Sequence, residues 1–286
     1  MMMMHLRGRS PRHRTVTMTL LISVMGGPAC TGGPWPFRGP TAQVRDPRIT
    51  ELSGIAPASN PGEYWCLNDS GHPPEIYRIT AAGAVRQAVV IRGAINVDWE
   101  AMTRDDQGRL VIADVGDNLR KRKDYQIYIV PEPAADQDSI DPASVVSFAY
   151  ADGVSRDCEA IFLLAGRFYL VSKDADPRVA AAVFRLDLTG PASAEALLVT
   201  HLPTRWPVTD AAFSGQRREL AVLSYAGVTR WAVAEESELG QSPPVHTTMF
   251  FGQAEALCYA GDDLLVTNEQ GAVWQIPVTA LETRPE

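Results

Sequence analysis

One short, mostly acidic motif recurs along the chain, and its residue types suit cation binding or proton sharing. Its copies are Leu52-Ser53-Gly54-Ile55-Ala56, Asp98-Trp99-Glu100-Ala101-Met102, Asp157-Cys158-Glu159-Ala160-Ile161, Val208-Thr209-Asp210-Ala211-Ala212 and Gln253-Ala254-Glu255-Ala256-Leu257. Aligned on Gly54, Glu100, Glu159, Asp210 and Glu255, they lie 46, 59, 51 and 45 residues apart. Four of these five positions are carboxylates. Gathered around one point they would repel strongly, since two unit charges ~4 Å apart cost about 4 kcal/mol at an effective dielectric of 20. Such a set binds a cation, shares protons or stays hydrated. Hard oxygen donors in that number suit Ca²⁺, with Mg²⁺ second, so Glu100, Glu159, Asp210 and Glu255 are the candidate metal ligands. The competing reading is that they cap strand ends or pair with Arg and Lys from neighbouring repeats.

Each motif is followed by a second apolar run that ends in a polar turn. The turns are Asn68-Asp69-Ser70-Gly71, Asp114-Val115-Gly116-Asp117-Asn118, Ser172-Lys173-Asp174, Ser224-Tyr225-Ala226-Gly227 and Asn268-Glu269-Gln270-Gly271. They supply Asn68, Asp69, Asp114, Asp117, Asn118, Lys173, Asp174 and Asn268 as candidate ligand-binding residues. Ordinary turn chemistry accounts for the same residue types. Lys173, the cation of this set, would either meet an anionic ligand or neutralise Glu159. Asp98, Asp157 and Glu269 are candidate general bases. There is no Gly-x-Ser-x-Gly, and His72, His201 and His246 recur in no copy, so a Ser-His-Asp hydrolase is not indicated. The run Arg120-Lys121-Arg122-Lys123 is either a solvated loop or a clamp for an anionic substrate.

The elements that must position these residues also repeat. A third run carries an aromatic two residues before an aliphatic: Tyr77/Ile79, Tyr128/Val130, Phe184/Leu186, Trp231/Val233 and Trp274/Ile276. Period-2 spacing puts both side chains on one sheet face, where a large ring in every copy packs one sheet on the next. A fourth run follows in the first four copies (Ala88–Ile91, Val145–Phe148, Ala196–Val199, Thr247–Phe251), and the fifth stops near Val278. Repeats of about 40–50 residues with four short strands describe propeller blades. The chain is therefore predicted to be an all-β, five-bladed β-propeller over residues 44–280, with six blades as the alternative. Val44–Ile49 is expected to close the ring as the missing outer strand. In such a blade the start of the first strand and the end of the second share one mouth, which gathers the acids there.

Composition narrows the partners. The formal net charge is −8, and setting aside the four arginines of residues 1–29 takes it to −12. A body this acidic is unsuited to nucleic acid, which needs clustered Lys and Arg. Residues 1–29 read as a signal peptide: basic from Arg7 to Arg14, apolar from Val16 to Met25, then Gly26-Gly27-Pro28-Ala29 before Cys30. That apolar run is too short to span a bilayer, which takes about 20 residues. Cys30 after Ala29 is similar to a bacterial lipoprotein site, with plain secretion the alternative. Either way the protein is expected to be exported, touching membrane only through a lipid on Cys30. Residues 30–43 read as a tether. Cys66, Cys158 and Cys258 fall in predicted strands as small buried hydrophobes, with a Cys66–Cys258 bridge left open.

The combination Leu-Ser-Gly-Ile-Ala, Asn-Asp-Ser-Gly, Asp-Trp-Glu, Gly-Asp-Asn and Asp-Cys-Glu-Ala resembles an uncharacterised group of secreted bacterial β-propellers over about 230 residues. The repeated Glu-Ala starts are more distantly similar to those of phytase-like esterase and gluconolactonase-like propellers. That resemblance implies a divalent cation in the channel on Glu100, Glu159 and Glu255. Two functions lead: a binding or scaffold propeller of the cell envelope, monomeric and taking a small molecule or an envelope protein, or a metal-dependent hydrolase of an ester, lactone or phosphoester. Lyases and sugar-acting enzymes are the remaining alternatives.

Overall fold

The computed structural model describes residues 39–281, except 175, 177, 187–192 and 205. The predicted signal peptide, Cys30 and most of the predicted tether lie outside the described residues. The chain is all-β. After β1 (Ala42–Gln43), a first unit comprises β2 (Leu52–Pro57), β3 (Glu63–Asn68), β4 (Glu75–Thr80) and β5 (Val85–Ile91). The second comprises β6 (Trp99–Arg104), β7 (Leu110–Asp114), β8 (Tyr125–Val130), the short β9 (Ser139–Ile140) and β10 (Ser144–Tyr150). The third comprises β11 (Cys158–Leu164), β12 (Arg167–Ser172), β13 (Ala181–Leu186) and β14 (Ser193–Leu202). The fourth comprises β15 (Val208–Ser214), β16 (Glu219–Ser224), β17 (Gly227–Ala232) and β18 (Val245–Thr248). Last come β19 (Ala254–Ala260), β20 (Asp263–Asn268) and β21 (Ala272–Pro277).

Within each unit consecutive strands pair antiparallel, β9 excepted. Burial follows position. The second strand β7 is buried at every residue, whereas the outermost β10 alternates between exposed and buried after its first residues. A continuous apolar run marks a strand covered on both faces, and alternation one covered on a single face. Outer strands also pair across units, both times in parallel: β10 with β14, and β5 with β9.

Apolar side chains gather in five clusters, each filled from two units. One repeated ring anchors each: Phe184, Trp231, Tyr128, Trp274 and Tyr77, all at most 5% exposed. Trp99 meets Tyr128 with ring centroids 5.7 Å apart. Cys66, Cys158 and Cys258 are buried free thiols, and Cys66 and Cys258 share one cluster without bonding.

The expected outer strand at Val44–Ile49 is corrected. Ala42–Gln43 pairs with β21 instead. Asp46-Pro47-Arg48 turns the chain away: Ile49 N–H donates to the Asp46 carbonyl at 3.0 Å, and Asp46 holds the Arg48 guanidinium at 2.7 Å. Pro47 also lacks the N–H a ladder needs. Val44 and Ile49 serve as core residues. Residues 42–43 thus belong to the last sheet rather than to a tether.

Candidate functional site

Every first strand of a unit carries a register shift against the second, between Leu52 and Gly54, Trp99 and Ala101, Cys158 and Ala160, Val208 and Asp210, and Ala254 and Ala256. A bulge leaves one extra residue unpaired and re-aims its side chain. The bulged residues are Ser53, Glu100, Glu159, Thr209 and Glu255, all at most 8% exposed. This corrects the sequence alignment at two places, because Ser53 and Thr209 match the three glutamates while Gly54 and Asp210 sit one residue on. At that next position the first strands run close: a Cβ on Gly54 would lie 2.8 Å from Met102 N. Asp210 uses the proximity, accepting the N–H of Leu257 at 2.6 Å and of Ala211 at 2.7 Å. Burial holds its carboxyl well above the usual range, and those two amides oppose the rise. Asp210 therefore ties two sheets together and stands apart from the other three acids.

Asp69, Asp98 and Glu100 bring carboxylate oxygens within 4.8 Å of one another. The bulge at β6 aims Glu100, the residue before that strand is Asp98, and the turn after β3 supplies Asp69. The Ser53 hydroxyl donates to the Glu100 carbonyl at 2.9 Å and lies 3.2 Å from Glu100 Oε2. Asn96 braces the turn through the Asp69 carbonyl at 2.7 Å. Gly116 makes room: a Cβ there would overlap Glu100 Oε1 and Asp98 Oδ2. Burial first, then Asp69, pushes the Asp98 carboxyl up to about 6. Burial and the charges of Glu159, Asp69 and Asp98 hold Glu100 well above its ordinary value. Among the described residues no Lys or Arg forms an ion pair with any of the three.

The bulge acids of the third and fifth units are matched. Lys173 Nζ pairs with Glu159 Oε1 at 2.9 Å. Tyr225 donates its hydroxyl to Glu255 Oε1 at 2.6 Å. Burial pushes the Glu255 carboxyl up to about 7, against the pull of Lys173 and Tyr225. Lys173 stays protonated because Glu159, Tyr225 and Glu255 outweigh its burial.

The other candidates have structural partners. Asn68, Asp114, Ser172, Ser224 and Asn268 occupy one repeated position opposite the residue before each bulge. Each clamps local backbone: Asn68 accepts from Thr50 N, Asp114 from Asp98 N, Ser172 from Ala182 N, Ser224 from Ala226 N and Asn268 from Ala272 N. Asp114 also pairs with Arg122 at 2.8 Å. Asp117 accepts from Lys121 N and Arg122 N and so folds its loop, while Asn118 is exposed. Asp157 accepts the Asp117 N–H at 2.8 Å, Glu269 accepts from Gln253 at 2.9 Å, and Asp174 pairs with Arg120 at 3.1 Å. Of the run 120–123, Arg122 is a staple that also stacks over Tyr125 at 5.0 Å. Ser53, Gly116, Thr209 and Tyr225 were missed. For Thr209 the signal lay in the buried apolar residue before each bulge, since aligning Val208 with Trp99 and Cys158 moves the fourth copy by one.

No protein-family model matches the sequence, and no curated protein matches it. Among solved structures, virginiamycin B lyase from Staphylococcus aureus aligns at 13% identity and TM-score 0.43, over 82% of this chain and 69% of its own. A gluconolactonase from Xanthomonas campestris aligns at 14% identity and TM-score 0.45, over 80% and 86%. The structural neighbours are distant β-propeller proteins. Likeness at this level leaves the chemistry to the chain's own residues.

Proposed function

We propose that this is an exported five-bladed β-propeller, closed by β1 on the last sheet, whose mouth binds a divalent cation at Asp69, Asp98 and Glu100. Five interlocking cores, the fifth joining the last unit to the first, support the blade count and closure. The basic and apolar N-terminal pattern supports export to the cell envelope, by secretion or through a lipid on Cys30. The observation that carries cation binding is the convergence of three carboxylates, Glu100 buried and Asp69 and Asp98 half-buried, with no ion-paired Lys or Arg among the described residues. Oxygen donors of this kind favour Ca²⁺ over Mg²⁺, because Ca²⁺ accepts six to eight ligands of flexible geometry, waters included. On this reading the protein is a monomeric binding or scaffold module for a small molecule or an envelope protein. The test is a Ca²⁺ titration followed by thermal unfolding. A saturable rise in Tm is expected that Glu100→Gln abolishes; an unchanged Tm in the parent protein sinks the reading.

A second reading, metal-dependent hydrolysis of an ester, lactone or phosphoester, is favoured by one observation. Asp98, pushed up to about 6, titrates where a general base is useful. Turnover of an aryl ester, lactone or aryl phosphate that requires Ca²⁺, and that Asp98→Asn abolishes while the variant still binds Ca²⁺, would select it.

A further inference from the structure

A cleft of about 250 Å³ opens beside the mouth, between the second and third units. Its inner end is Lys173, which reaches the first strand of its sheet through Glu159. Its outer end is Leu198 on β14, the outermost strand. Between them stand Val154 and Val179. These three aliphatic side chains are 52%, 54% and 46% exposed, in the order Leu198, Val154, Val179. Scattered single exposures are ordinary. Three around one concave surface make it a candidate binding site.

The inner end differs in charge from the rest of the mouth. Arg120 is half exposed and uses one nitrogen, donating to Asp174 at 3.1 Å and to the Lys173 carbonyl at 3.3 Å. Its remaining guanidinium N–H groups have no partner among the described residues. Lys173 has three donors and places one on Glu159. Arg156, on the same cleft, is committed to Asp152 and stacks on the Phe184 ring at 4.7 Å.

We propose that this cleft binds an amphiphilic monoanion: a carboxylate held by Arg120 and Lys173, carrying a short aliphatic body laid over Val154, Val179 and Leu198. A carboxylate matches the planar fork of an arginine. A dianionic phosphate fits less well, because Asp157, Asp174 and Glu159 stand close by and repel a second charge. The volume lies below the ~300–1,000 Å³ of drug-sized pockets, so the ligand is small or only one end of a larger one enters. The site goes beyond the cation reading and does not depend on it, since none of its contacts involves Asp69, Asp98 or Glu100.

The experiment is a calorimetric titration of octanoate into the protein with all divalent cation chelated, so that failure of the cation site leaves the result intact. One saturable site is expected, with affinity rising at least 10-fold from butanoate to octanoate, as burying four more methylenes requires. Arg120→Glu and Leu198→Asp should each weaken octanoate at least 10-fold, and octylamine should not bind. Because either variant can disturb its loop, methyl NMR on the unaltered protein gives a second readout, in which octanoate should shift Val154, Val179 and Leu198 selectively. No saturation, equal binding of octylamine, or shifts elsewhere would overturn the proposal.

Discussion

The bulge of the second unit and those of the third and fifth start from the same backbone device and end with opposite electrostatics. On one side Glu100 meets Asp98 and Asp69, with no Lys or Arg among the described residues ion-paired to any of them. On the other, Glu159 meets Lys173 and Glu255 meets Tyr225. The bulges are equivalent, so the strands do not make the difference. The turns after the second strands do: Asn68-Asp69-Ser70 adds an acid, Ser172-Lys173-Asp174 a cation, and Ser224-Tyr225 a phenol. A repeat can thus hold geometry constant while its turns decide which acids are balanced internally and which are left for a ligand.

The strongest way to break this contrast is to unbalance the balanced side. Lys173→Met leaves Glu159, whose side chain is 3% exposed, buried without its partner. A loss of about 3–5 kcal/mol is expected by denaturant unfolding, as for other broken buried pairs. Adding Glu159→Gln should restore more than half of it. If the single variant unfolds like the parent, the two sides do not differ as described.

A smaller effect compares two acids raised by burial, Asp98 on the unbalanced side and Glu255 on the matched one. Asp98 and Glu255 have folded pKa values near 6 and 7, above their ordinary values of 3.8 and 4.5. A raised acid favours the folded state below its unfolded pKa, and that contribution is lost as pH climbs through the folded value. The cation-free protein should therefore lose stability between about pH 4 and pH 7. Asp98, partly solvated, accounts for about 1–2 kcal/mol of this. Asp98→Asn should flatten the fall, and saturating Ca²⁺ should do the same on the cation reading. A stability that climbs over that range would contradict the assignment.

The smallest effect concerns the silent fourth position. Thr209 is 1% exposed and its hydroxyl has no partner among the described residues. Thr209→Val removes an unsatisfied buried group at nearly constant shape, so stability should hold or rise by up to about 1 kcal/mol. A loss above that, in the same unfolding assay, would show a partner for the hydroxyl and make the fourth unit part of the site.

Much of the scaffold was legible because it rests on local periodicity. The aromatic-x-aliphatic pairs fixed the third strand of each unit, and all five rings are buried where one unit meets the next. The Glu159–Lys173 pairing was legible too, as one of two roles open to the lysine. Asp210 was not, because carboxylate identity matched it to the glutamates while hydrogen-bond register matched Thr209 to them. Register depends on the partner strand, which a single motif does not display. Tyr225 and Gly116 were read as ordinary turn residues, since their contacts come from another strand and another loop. Val44–Ile49 failed at Pro47, a local signal outvoted by the need for an outer strand.

The parallel pairings on the outer rim have a mechanical consequence. β5 with β9 and β10 with β14 sew the first three units together by backbone hydrogen bonds, which shear as a group. Among the described residues no such rim ladder joins the third unit to the fourth or the fourth to the fifth, which meet through side-chain packing and, for the latter pair, the Asp210 hydrogen bond to Leu257 N–H. Under tension or heating the molecule has a stiff shoulder and a soft one, and parting begins along the soft seams. Those seams flank Glu159 and Glu255, so the acids that are matched internally also line the hinge.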